Sequence, residues 1–153
     1  MTLYSLLLKI GGLSHREAAA YHGVRPDTVK SWSAGRNPAS ARAVGHLRDL
    51  IRRQRRGADD LLAVIEAAPE DTVIELGIAA TDHEAQAPPL GWPCVAAQAQ
   101  AIGMAAAMTD RPVVIVPRGS TPATAAAADA HDGQPLPPPS PGGRSRHHGR
   151  PSR

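Results

Sequence analysis

Residues 15–34, HREAAAYHGVRPDTVKSWSA, constrain the fold of this chain more than any other segment. They read as two short helices joined by a tight turn. Ala19 is small enough for a close helix crossing, and Gly23 tolerates the positive φ that such a turn demands. Val24, Val29 and Trp32 are the apolar positions that hold the second helix against the first. Ser14 and Glu17 have the spacing of a capping box at the start of the first helix. Pro26 suits the first position of the second helix, and Asp27 then lies near the positive end of its dipole. Gly35 suits the position after that helix, and Asn37-Pro38 prevents it from continuing. Arg25 takes the N-cap, where Ser, Thr, Asp or Asn is better. That mismatch points to a ligand for Arg25, against the plain alternative of a solvated arginine.

The flanks extend this block into a small bundle. Leu3, Leu6, Leu7 and Ile10 recur at helical spacing and predict the apolar face of a first helix. Beyond the block, Val44, Leu47, Leu50 and Ile51 keep their phase through Ala58, Leu61, Leu62 and Ile65. One long helix from about 40 to 67 is expected, with Gly57 costing about 1 kcal/mol in its interior. The block resembles the helix-turn-helix of the lambda-repressor and Cro superfamily, over residues 3 to about 56. The resemblance implies that the outer face of the second helix enters a DNA major groove. Asp27, Thr28, Lys30 and Ser31 lie on that face, opposite Val29 and Trp32. Lys30 is expected to read guanine and Thr28 a base edge or thymine methyl, with Arg25 and Arg36 beside them, Arg36 on a phosphate.

Charge is segregated in the same way. Residues 1–56 hold eleven Lys and Arg against three acids, and residues 57–140 hold two Arg against eleven acids. Residues 141–153 add four Arg, so the whole-chain value of +3 hides a basic head, an acidic middle and a basic tail. A basic head that coincides with such a helix pair is the electrostatic footprint of a nucleic-acid binder. Arg48, Arg52, Arg53, Arg55 and Arg56 cluster on the long helix, either for DNA backbone or for the acidic segment.

Residues 68–118 form a second expected unit. Residues 72–79 and 112–117 are strand candidates, and residues 93–108 an alanine-rich helix between them. Strand, helix, strand implies a β-α-β crossover if the strands are parallel. Two strands and one helix cannot build a core alone, so the long helix, a second copy, or both must complete it. The close-approach face of Ala97, Ala101 and Ala105 points to a dimerisation unit. Gly91-Trp92 and this element order resemble anti-CRISPR-associated repressors and their YdiL-like relatives. That looser resemblance implies a homodimer that represses its own operon, with RNA as a further partner.

The segment 119–153 is expected to be a disordered tail, because from Ser120 onward Leu136 is its one residue among Leu, Ile, Val and the aromatics. Removing residues 120–153 is expected to leave unfolding unchanged. Leu136–Pro139 carries a weak PxxP match, and His147-His148 is a poor metal pair. Cys94 is the one cysteine, so no internal disulfide forms and no zinc site arises from it alone. No metal or cofactor is expected. Asp82-His83-Glu84 falls in an expected loop and Ser5, Ser31 and Ser33 lack a nucleophile-elbow context, so no catalytic residue and no enzyme are read. LYSLLLKI is too short for a signal peptide and no run approaches a membrane span, which predicts a cytoplasmic protein, bacterial or phage by composition. The expected fold class is mainly α: an N-terminal helix-turn-helix bundle over 1–56, a long connecting helix, a small β-α-β dimerisation unit and a disordered tail. The expected function is a dimeric, sequence-specific DNA-binding regulator acting as a repressor. The alternatives are an antitoxin that binds a toxin protein through its acidic half, and an adaptor that binds no DNA.

Overall fold

The computed structural model describes residues 1–132, with side chains described up to Asp129. Its described residues are mainly helical, with a small two-stranded parallel sheet. Helix α1 spans Leu3–Ile10, α2 His15–His22, α3 Pro26–Ala34 and α4 Ala41–Ala67. Strand β1 (Ile74–Ile78), helices α5 (Asp82–Gln86) and α6 (Val95–Ala107), strand β2 (Val113–Pro117) and helix α7 (Pro122–Asp132) follow.

The local signals of residues 14–38 are formed as their chemistry dictates. Ser14 N–H donates to Glu17 Oε2 at 2.6 Å while Glu17 N–H donates to Ser14 Oγ at 3.2 Å, a closed capping box. Gly23 ends α2 at φ 68°, where a Cβ is disfavoured, and Gly35 ends α3 at φ 74°. The N-cap of α1 does double duty. Thr2 caps its own helix and donates its hydroxyl to Trp32 O at 3.3 Å, tying α1 to the end of α3.

The buried face of α1 differs from expectation. Tyr4 and Leu8 are buried with Leu7 against them, whereas Leu3, Leu6 and Ile10 are exposed. The run Leu6-Leu7-Leu8 offers two overlapping stripes at helical spacing. The stripe that docks is the one carrying Tyr4, whose ring meets Trp32 edge-on at 5.4 Å.

Two cores are strung along the α4/α6 pair. The first joins Tyr4, Leu8, Leu13, Ala19 and Val29 to Leu47 and Leu50 of α4, and takes in Cys94 and Ala97 at the start of α6. The second gathers Ala58 and Ile65 of α4, Leu76 of β1, and Ile102 and Ala105 of α6. Ala97, Ala101 and Ala105 are therefore buried within the chain, not held in reserve for a second copy. The long helix supplies the missing half of the β-α-β core, which removes that face as an argument for dimerisation. Gly12 permits the approach of α6: a Cβ there would lie 2.8 Å from Ala96 O. Gln54, fully buried, donates to Gly11 O at 3.0 Å and Ala97 O at 2.9 Å, bridging the first turn to α6.

The strands are parallel and pair from Ile74 with Val113 to Ile78 with Pro117, as a crossover through α6 requires. Arg111, just before β2, donates to Ile65 O and Ala68 O and so satisfies the end of α4. Two expectations are corrected here. Residues 82–84 are not loop but open α5, because Thr81 caps it through Glu84 N–H at 3.2 Å. The segment expected to be disordered begins with α7, whose Thr124 is buried as the helix packs on β1. Alanine's helix propensity and one anchoring threonine replace the branched side chains this segment lacks. The PxxP match at 136–139, His147-His148 and the tail arginines lie outside the described residues. No helix among the described residues is long and apolar enough to cross a membrane.

Candidate nucleic-acid interface

Helix α3 buries one side and exposes the other. Val29 is fully buried and Trp32 half-buried, while Asp27 and Lys30 are exposed and Thr28 and Ser31 flank them half-buried. Arg25 is the N-cap, makes no side-chain cap bond and is exposed. Arg36 is exposed one residue beyond Gly35. Arg25, Asp27, Thr28 and Ser31 border one shallow depression, joined by Trp32 and Asn37. Lys30 and Arg36 lie outside its rim.

Asn37 is the member that sequence reasoning missed. Its Nδ2 donates to Ser31 Oγ at 2.8 Å, so the segment after α3 folds back onto the exposed face. In the sequence Asn37 reads as a helix stop beside Pro38, and its side-chain amide is the signal that this reading leaves unused. Lys30 Nζ lies 3.4 Å from Asp27 Oδ1, one turn away. With those side chains 56 % and 82 % exposed, the pair holds Lys30 only weakly, and the ammonium can exchange Asp27 for another acceptor.

Beneath α3 lies an aromatic and histidine layer. The His22 and His46 rings stack at 5.7 Å with their Nδ1 atoms 3.5 Å apart. Trp32 meets both Tyr4 and His22 edge-on. Arg42 Nε donates to His46 Nε2 at 3.5 Å, and Tyr21 hydroxyl to His46 O at 3.4 Å. Burial pushes the Tyr4 hydroxyl up to about 12. Burial, and then the neighbouring His46, holds His22 below the ordinary histidine value. His22 Nε2 is buried with no hydrogen-bond partner. The layer fixes the seat of α3.

The arginines of α4 divide. Arg48, Arg52, Arg55 and Arg56 are exposed, with Arg52 on Asp49 at 2.5 Å. Arg53 is structural: it donates to Gly91 O at 2.6 Å and to Leu90 O, and covers the Trp92 ring. Its partners are carbonyls and an indole, not the acids of the middle segment.

The acids of α5 are occupied by capping. Asp82 Oδ1 accepts from Val95 N–H at 2.9 Å and Glu84 Oε2 from Ala80 N–H at 2.8 Å. Glu84 Oε1 lies 4.0 Å from Arg118 Nη1. No family model matches this chain, and no curated protein is significantly similar to it.

Proposed function

We propose that this protein is a sequence-specific, double-stranded-DNA-binding transcriptional regulator, a repressor working as a dimer, with α2 and α3 as its helix-turn-helix. The observation that carries the reading is the outer face of α3. A helix seated firmly by Val29 and Trp32 turns Asp27, Thr28, Lys30 and Ser31 outward, with Arg25 and Arg36 at its two ends. That face belongs to the segment of the chain with eleven basic residues against three acidic ones. A major groove admits one helix, and base edges there are read by side chains of this kind. Lys30 donates to guanine O6 and N7, Thr28 and Ser31 contact base edges, and Arg25 and Arg36 neutralise phosphates.

Dimerisation falls to β2 in this reading, not to the alanine face of α6. Val114 and Ile115 are 43 % and 50 % exposed on β2, one of the two strands that the sheet has among the described residues. Two five-residue strands form a marginal sheet, and an open apolar edge is a template for another strand. Two copies related by a two-fold axis pair such edges antiparallel.

Selection of bound duplexes from a random pool tests the whole. An inverted repeat with half-sites about 10 bp, or ~34 Å, apart or a multiple of this is expected. Lys30→Ala should cost about 1–3 kcal/mol on that duplex and relax one position, while Arg36→Ala weakens all sequences alike. Ile115→Lys should give a monomer by sedimentation. Recovery of no preferred sequence would refute the regulator; a stoichiometric basic protein purifying with the chain would favour the antitoxin reading.

A further inference from the structure

Cys94, Glu17 and Asp82 are far apart in the chain, yet their ligand atoms all lie within 4.8 Å of one another. Glu17 comes from the first turn of α2, Asp82 opens α5 and Cys94 is the N-cap of α6. Each carboxylate is held by a backbone N–H through one oxygen: Ser14 N–H on Glu17 Oε2 and Val95 N–H on Asp82 Oδ1. Such outer contacts orient a ligand before it binds. The thiol caps as well: Cys94 Sγ accepts from Ala97 N–H at 3.4 Å, an ordinary distance for sulfur, and its S–H points to Gly12 O at 3.9 Å. Ser, Thr, Asp and Asn are the preferred N-caps, so a cysteine in this role brings a metal-ligating atom that capping alone does not call for.

A cavity of about 640 Å³ opens beside the cluster, lined by Glu17 and Asp82 with Ser14, Arg16, Tyr21 and Gln86. It provides an entry path and room for a fourth ligand such as water. We propose that Glu17, Asp82 and Cys94 bind one thiophilic divalent cation of the Zn²⁺ class. The thiolate selects against Mg²⁺ and Ca²⁺, and three protein ligands plus one open position fit zinc's four-coordinate preference. On binding, the Cys94 S–H bond breaks, a sulfur–metal bond forms and the proton leaves to buffer. The ion clamps α2, the partner helix of α3, to α5 and α6.

Cobalt titration of the full, reduced, metal-free chain tests this. Because the sequence holds one cysteine, any sulfur-to-cobalt charge-transfer band in the near ultraviolet reports Cys94 alone. One equivalent of Co²⁺ per chain should produce the band, and Zn²⁺ should abolish it. Cys94→Ser keeps a good N-cap and should lose the band with the fold intact by circular dichroism. Glu17→Gln keeps the capping-box acceptor and should weaken cobalt binding about tenfold or more, as should Asp82→Asn. No thiolate band at excess Co²⁺ would overturn the proposal. So would a band that both carboxylate variants leave at parental affinity.

Discussion

The guanidinium carbon of Arg53 lies 4.0 Å from the centroid of the Trp92 ring. The same guanidinium donates to the carbonyls of Leu90 and Gly91, so one side chain of α4 pins the segment that leads into α6. A cation over a partly desolvated indole is worth about 0.5–2 kcal/mol, and bonds from a charged donor about 1.5–3 kcal/mol. Arg53→Ala should therefore lower unfolding free energy by about 2–3 kcal/mol. Arg53→Lys recovers only part of this, since a point charge cannot serve both carbonyls and the ring. Denaturant titration reads the loss. If DNA is bound, the salt dependence of binding should not change in Arg53→Lys.

Gly57 lies inside α4 facing Trp92. An added Cβ would sit 3.7 Å from Trp92 Cζ2 and 3.9 Å from the Ala101 Cβ, ordinary contact distances. The backbone there is helical, so Gly57→Ala restricts the unfolded chain without strain. A gain of about 0.4–1 kcal/mol is expected, read as a rise in denaturant midpoint at unchanged slope. A loss of stability would show that Trp92 cannot yield the room.

His22 makes the fold acid-sensitive. Its folded value is held below the ordinary 6.5 by burial and by His46. The unfolded chain therefore binds the proton more readily. Stability from the neutral ring is fully present above about pH 6.5 and is lost as pH falls through the lowered folded value. Protonation leaves an N–H at the buried, unpartnered Nε2 and puts charge beside His46, with Arg42 bonded to its far side. The denaturant midpoint should be flat between pH 7 and 8 and fall below about 6.5. His22→Phe should flatten that limb. At Glu17 burial raises the carboxyl, but its bonds to Ser14 and Cys94 together outweigh this and lower it, so it adds loss only below its ordinary 4.5, outside this window.

The beginning of the expected tail is structural. Thr124 is 4 % exposed against β1, and Thr121 caps α7 through Thr124 N–H at 3.3 Å. Chains ending at Gly119 and at Asp132 separate this helix from everything after it. Truncation after 119 should lower the melting temperature relative to truncation after 132, because β1 loses the cover of α7. Equal melting temperatures would return residues 120–132 to a dispensable tail.

Features set within a turn or two of chain could be read directly. The bonds that close the Ser14–Glu17 box, end α2 at Gly23, start α3 at Pro26 and stop it before Asn37 reach no more than a few residues. The unbroken phase of α4 and the strand-helix-strand order of 74–117 were legible because burial of one face imposes a period on the sequence. The candidate reading face followed from the same period, as the side of α3 opposite Val29. Choices among equivalent surfaces were not legible. Leu3 and Tyr4 head stripes of equal spacing, and only the Trp32 ring decides that Tyr4 goes in. Ala97, Ala101 and Ala105 suit any close partner, and only the length of α4 brings one from the same chain. Thr124 holds α7 only because β1 is there to receive it. Glu17, Asp82 and Cys94 meet because three helix starts converge, and no local rule reports a distance between starts. Local bonds and periods are properties of sequence; which of several equal faces is buried, and what it meets, is a property of the packed whole.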